Sequence, residues 1–319
     1  MPVGRSKPVI IYEFKVKGID LQYRAIDDAI RTSQFIQNKC LRFWMDSKDK
    51  KVDKYALNKH CAVLAAEFPF ADELNSMARQ SAAERAWGAI ARFYDNCKKK
   101  ASPRALSRAV KGKKGFPKFK KHCRSVEYKT SGWKLSETRK VIPFSDKKGI
   151  GTLMLKGTYD LNYYDIKQIK RVRLVRRSNG YYAQFAIDVD LKVETQPTGR
   201  VVGIDLGLKY FIADDKGNVE PAPQFYLKSE KQLIRANRKK SKKYDPKKKK
   251  AQQPQSTNYH KARERYARKH LRVSRQRKEY CKRVAYSVIQ SNDLVAYVDA
   301  FAQRVPLGLS GVPQARLEC

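Results

Sequence analysis

Asp205 is the first residue of this chain whose setting points to chemistry. It stands in Val201-Val202-Gly203-Ile204-Asp205-Leu206-Gly207, an apolar run bounded by glycines with a single carboxylate near its end. A charge carried on a buried strand has to be paired or to hold a cation. The second feature is a concentration of cations. Between Lys228 and Arg283 there are 23 Lys and Arg against 4 Asp and Glu, a net +19 and about half of the chain's +39. Arg238, Lys239, Lys240, Lys242 and Lys243 lead it, and the Lys247–Lys250 run follows. An ordinary charge run is a solvated helix face, but this density needs phosphates nearby to screen it. His60, His122, His260 and His270 are scattered with no metal-ligand spacing. The six cysteines (Cys40, Cys61, Cys97, Cys123, Cys281, Cys319) contain no Cys-x-x-Cys. No zinc is expected, the thiols read as reduced and mostly core, and Trp44, Trp87 and Trp133 read as core.

Elements must position these residues, and composition says that the chain can build them. Of 319 residues, 41% are hydrophobic and 11% aromatic, so the 70 Lys and Arg against 31 Asp and Glu do not belong to a disordered basic tail. Two or three domains are expected. With no signal-peptide run and no apolar stretch of spanning length, the expected address is cytoplasmic, with no membrane partner. A nucleic acid is the natural partner of +39, because neutralising phosphates releases counterions.

Residues 8–17 are rich in β-branched and aromatic types and read as one strand ended by Gly18. From Ile19 to about Cys97 the spacing turns helical, with Tyr23, Ile26, Ile30 and then Ala78, Ala82, Ala86, Ile90, Tyr94, and with Phe68-Pro69-Phe70 as a break. Three or four helices are expected. Residues 126–190 return to period two, with turns at Ser131-Gly132, Asp146 to Gly151, Lys156-Gly157 and Ser178-Asn179-Gly180. Asn179-Gly180 between two alternating runs predicts a hairpin closed by a type I′ turn. An antiparallel barrel or sandwich follows, which the lone first strand should join, making the helices an insertion. Beyond the 194–199 linker come short strands from Arg200 and two helical pieces, about 224–243 and 257–290.

Three readings of Asp205 stay open. Gly-Ile-Asp-Leu-Gly occurs on the first strand of actin-like ATPases, but that fold needs a second lobe, for which the following residues are too few and too basic. The same strand opens RNase H-like nucleases, where carboxylates from several strands hold two Mg²⁺. Asp205 is otherwise a satisfied structural carboxylate.

The string Val201 to Lys209 resembles the first RuvC motif of the TnpB transposon-encoded proteins, relatives of type V CRISPR effectors. Further segments resemble the family in order: Gly115-Phe116-Pro117-Lys118-Phe119-Lys120, Ser125-Val126-Glu127-Tyr128-Lys129, Gly149-Ile150-Gly151, Arg173-Leu174-Val175-Arg176-Arg177 before Gly180-Tyr181-Tyr182, and Asn292-Asp293-Leu294-Val295-Ala296-Tyr297. The resemblance implies an α+β multidomain protein. Residues 1–18 would be the first strand of a wedge-type antiparallel β-barrel, 19–110 an inserted helical recognition bundle and 111–198 the rest of the barrel. Residues 199–297 would form a partial RNase H-like (RuvC) α/β domain with basic helices, and 298–319 a tail unlike the family. It also implies RNA-guided cleavage of double-stranded DNA in a prokaryotic, nucleoid-associated setting, with Mg²⁺ at Asp205 and a guide RNA from the element. Nucleic-acid contacts are expected from Lys118, Lys120, Lys121, Tyr128, Lys129, Arg173, Arg176 and Arg177 besides the basic helix residues.

The departure is equally specific. Where the family carries a catalytic Glu, this chain has Val298-Asp299-Ala300, and no Cys-x-x-Cys follows. A frameshifted or truncated copy is the expectation, with cleavage lost. The alternative to an enzyme is then a non-cleaving guide-RNA and DNA-binding remnant or repressor.

Overall fold

Alternation of β-branched and aromatic residues makes β1 (Val9–Lys17), and its partners lie far along the chain. In the computed structural model, which describes residues 9–47, 52–98, 115–189, 197–207 and 209–297, two units emerge, split between residues 191 and 192.

In the first unit, β1 sits inside a six-stranded antiparallel sheet of order β2-β5-β6-β1-β4-β3. The other strands are β2 (Ser125–Lys129), β3 (Val141–Pro143), β4 (Thr152–Lys156), β5 (Ile169–Arg177) and β6 (Gly180–Asp188). β1 pairs with β6 from Val9 to Lys15 and with β4 from Lys15 to Lys17. The sheet curls: beyond β2, Trp133 bridges to Phe144, and the Lys134 and Ser136 amides donate to Pro143 and Val141 at 3.0 Å, tying the two edges together. The β5–β6 hairpin forms as expected, but not through a type I′ turn. Neither Ser178 nor Asn179 takes positive φ; Gly180 alone does, at 125°, a conformation open to glycine.

Between β1 and β2 run α1 (Asp20–Asp46), α2 (Lys54–Glu67), the short α3 (Pro69–Asp72) and α4 (Ser76–Lys98). Gln22 fastens the start of α1: its oxygen accepts from Ile19 N at 3.0 Å while its amide donates to the carbonyls of Ile150 and Thr152. A Cβ at Gly18 would meet the Gln22 oxygen at 2.6 Å, so a larger residue there requires the Gln22 side chain to shift. Pro69 stops α2, and Asp53 caps its start by accepting from Ala56 N at 2.7 Å. One continuous core joins helices and sheet, including Ile26, Ile36, Leu41, Leu57, Leu64, Ala82 and Ile90 with Val126, Leu153, Leu174 and Phe185. Each fully buried large side chain contributes about 1.5–3 kcal/mol.

The cysteines divide. Cys40 and Cys61 are core, whereas Cys97 and Cys281 are exposed and Cys123 lies between, so "mostly core" was too strong for the described thiols. Trp133 is buried, and Trp44 and Trp87 pack against the core.

The second unit holds a four-stranded sheet of order β10-β7-β8-β9 and basic helices. Its strands are β7 (Val201–Asp205), β8 (Tyr210–Asp214), β9 (Val219–Pro221) and β10 (Leu294–Tyr297), with β10 parallel to β7. Its helices are α5 (Phe225–Ser241), α6 (Pro246–Lys250) and the 35-residue α7 (Thr257–Ser291). Among the described residues only Val202, Leu233, Ala262 and Val273 are buried apolar positions here. The ring of Tyr280 on α7 packs on Phe211 and Phe225, and its hydroxyl donates to Glu220 at 2.7 Å, fastening α7 to the sheet. No described helix is long and apolar enough to cross a membrane.

Candidate nucleic-acid interface

Asp205 ends β7, where Val201, Gly203 and Asp205 share one strand face and Val202 and Ile204 the other. Val202 and Ile204 look into a groove of about 520 Å³ lined also by Ile212, Val219, Val284 and Val288, so the face toward α7 is the apolar one. Asp205 points away from it and is exposed, which corrects the expectation of a charge on a buried strand. Its carboxylate makes no hydrogen bond or ion pair with a described residue. The neighbouring carboxylates are committed to backbone. Asp293 accepts from Thr198 N and Gly199 N at 2.7–2.9 Å, and those bonds hold its carboxyl below the usual range. Asp215 accepts from Gly203 N at 3.1 Å, and Asp214 closes the turn to Asn218. Among the described residues no group of three His, Cys, Asp or Glu could hold a metal ion. The donor set among the described residues therefore does not fit the two Mg²⁺ of the resemblance. The β10–β7 register runs to Tyr297 opposite Ile204, one position short of Asp205; Val298 and Asp299 lie outside the described residues.

The expected contacts of the first unit separate into exposed and committed ones. Lys118, Lys120 and Lys121 are exposed on a segment whose backbone α1 clamps. Asn38 donates to Lys120 O at 2.9 Å and accepts from Lys120 N at 2.8 Å, while Gln34 accepts from Cys123 N at 2.6 Å. Fixing the backbone this way leaves the lysines pointing outward.

Tyr128 is a correction. It is fully buried, its hydroxyl donates to Asp146 at 2.8 Å, and burial pushes its pKa well up. β2 turns Val126 and Tyr128 into the core, so the Tyr128 ring cannot lie on a nucleic acid.

Lys129 donates to Glu84 at 2.7 Å. Arg173 donates twice to Glu127, at 2.9 and 2.6 Å, and Arg171 once, at 3.0 Å; Arg85 approaches the same carboxylate at 3.5 Å. Burial works to raise the Glu127 carboxyl, but the Arg173 hydrogen bonds and the Arg85 and Arg173 charges outweigh it and hold the pKa low. Arg176 donates to Asp27 at 2.6 Å, and Arg177 pairs with Glu13. Each of these cations is thus already partnered. Arg85 and Arg171 were not legible as members of this group, because only the fold brings α4 against β2 and β5.

Arg238, Lys239, Lys242 and Lys243 are exposed at the end of α5, and Lys240 sits 4.5 Å from the centre of the Tyr266 ring on α7. None of the five forms an ion pair with a described residue. Arg235 on α5 and Arg265 and Lys269 on α7, which the sequence did not single out, join Lys239 and Lys243 around one cleft. The available signal was helical spacing: 235 and 239 on one helix and 265 and 269 on the other.

Residues 184–301 match the model of the OrfB_IS605 family, described as a probable transposase. That match covers the end of the first unit and most of the second, and less than half of the chain. No curated protein matches it. Among solved structures, the chain is similar to a Cas12f1–sgRNA–target DNA complex, at 11% identity and a TM-score of 0.43, covering 89% of this chain and 65% of that one. A CRISPR-Cas12f ternary complex follows at 13% and 0.31, covering 88% and 64%. The chain thus spans just under two thirds of the length of either.

Proposed function

We propose that this chain is a TnpB-like, RNA-guided nuclease-like protein that binds a guide RNA and double-stranded DNA and does not itself cut. The curled sheet of the first unit is the wedge-type barrel, the α1–α4 helices its inserted recognition bundle, and the second unit a partial RuvC-like domain. The observation that carries binding is the set of five cations around the α5–α7 cleft, Arg235, Lys239, Lys243, Arg265 and Lys269, none of which is ion-paired with a described residue. Phosphates are the counter-charge available to such a surface. Lys118, Lys120 and Lys121 add exposed positive charge on a fixed backbone, suited to positioning a duplex by its phosphates rather than reading its bases.

The absence of cutting rests on Asp205 being the one uncommitted carboxylate of its face, and on Val298, which offers no oxygen where the resemblance expects a Glu. In-line displacement by two metals needs several bridging carboxylates. The test is the purified chain with the element's RNA, Mg²⁺ or Mn²⁺, and plasmids carrying a guide-complementary target beside randomised sequence. Retention of plasmid without linearisation is expected. Linearisation that Asp205→Ala abolishes would overturn the non-cutting assignment.

A further inference from the structure

The charges of the second unit are not spread evenly. Arg235 and Lys239 of α5, with Lys243 in the turn just beyond it, face Arg265 and Lys269 of α7 across a cleft of about 320 Å³, whose other lining residues are Gln232, Ala236 and Ala262. Five cations and no carboxylate meet there. In the first unit Arg173, Arg177 and Arg176 pair with Glu127, Glu13 and Asp27; here none of the five cations is ion-paired with a described residue. The polar bond present, Lys269 Nζ to Gln232 Oε1 at 3.0 Å, fixes an ammonium at the cleft wall without neutralising it. Ala236 and Ala262 contribute little bulk, so the helices approach closely and leave a floor without side-chain reach. An arrangement that concentrates like charge and provides no counter-ion is unfavourable unless a polyanion completes it.

We infer that this cleft is a phosphate-binding subsite that seats consecutive phosphates of a nucleic-acid strand. No aromatic side chain lines it, so bases have nothing to stack on, and recognition there is of backbone and independent of sequence. The two arginines supply planar donor forks that match phosphate oxygens, and the three lysines supply point charge. The inference rests on the nucleic-acid-binding reading above and localises it.

The test compares two doubly substituted full-length chains with equal charge loss. Lys239→Gln with Arg265→Gln removes two of the five cleft cations; Arg263→Gln with Lys278→Gln removes two exposed cations of α7 that do not line it. Binding to unstructured polyuridine RNA and to polythymidine DNA is measured by fluorescence anisotropy over a salt series. The cleft variant is expected to lose roughly tenfold in affinity or more, and its salt slope to flatten by about 1.4, two phosphates at ~0.7 each. The control variant should lose less than about threefold, and Lys239→Arg with Arg265→Lys should restore binding, which separates site loss from misfolding. Loss with both polymers is expected of a backbone site, while loss with one alone assigns that strand as the source of the phosphates. Equal losses in the cleft and control variants would overturn the subsite while leaving nucleic-acid binding intact. Failure of the unsubstituted chain to bind either polymer would instead overturn the binding reading itself.

Discussion

The first unit pairs the arginines of its sheet with carboxylates and seals its core, whereas the second gathers five cations around a cleft without a carboxylate and leaves apolar side chains exposed. Glu127 collects Arg85, Arg171 and Arg173, Glu84 collects Lys54 and Lys129, and behind them lies a continuous apolar core from Phe14 to Ile187. In the second unit Val201, Tyr210, Val219, Tyr286, Ile289 and Tyr297 stay exposed, and Arg268 pairs with Glu264 along α7. Hydrophobic burial is the main force that closes a fold. The difference teaches that the first unit is stabilised by its own core, whereas the second buries few apolar side chains and leaves its cleft cations without carboxylate partners among the described residues.

The largest contrast is expected in the cores. Phe185→Ala should cost about 3–5 kcal/mol, because the ring is wholly buried against Phe14 and Trp133 and leaves a cavity, while Val202→Ala beside an open groove should cost about 1 kcal/mol. Denaturant unfolding measures both, and equal costs would erase the distinction. Next, RNA at about a hundred times its Kd should stabilise the unit it binds by ~2.7 kcal/mol. Hydrogen exchange should show the gain in α5 and α7 and not in α1 or β6; protection rising equally everywhere would break the comparison.

Glu127→Gln should cost about 2 kcal/mol, less than the loss of a wholly buried pair, because Arg171 and Arg173 are nearly half exposed and water screens them. The sign with pH follows from the lowered carboxyls of Glu127, Glu84 and Asp28. A carboxyl held low when folded contributes stability at neutral pH that is lost as pH falls below about 4 through the folded value. The variant should therefore show a shallower acid limb than the parent chain, and an unchanged limb would remove Glu127 from the account. The smallest effect belongs to Asp293→Ala. Losing its bonds to Thr198 and Gly199 should loosen the entry to β7, seen as faster amide exchange in β7 and β10 with little change in the first unit.

Local pattern was enough for much of this protein. Period-two runs marked β1, β5 and β6, helical spacing marked α1, α4, α5 and α7, Pro69 marked the break after α2, and β1 pairs with strands that the helices separate from it, as expected. These features follow from backbone geometry, which repeats every two or 3.6 residues whatever lies across the fold. The basic density of residues 228–283 was equally plain, since net charge needs no structure to count. What a side chain faces is another matter. The alternation of Ser125 to Lys129 could not say that Tyr128 points into the core or that Glu127 is buried among three arginines drawn from α4 and β5. Nor could it say that Asp205 stands on the uncovered face of its strand while Asp214, Asp215 and Asp293 are held by backbone amides. Nor could composition distinguish the cations neutralised inside the first unit from the five left to face one another between α5 and α7. Burial and pairing depend on residues brought together from distant parts of the chain, so the tertiary structure alone decided them.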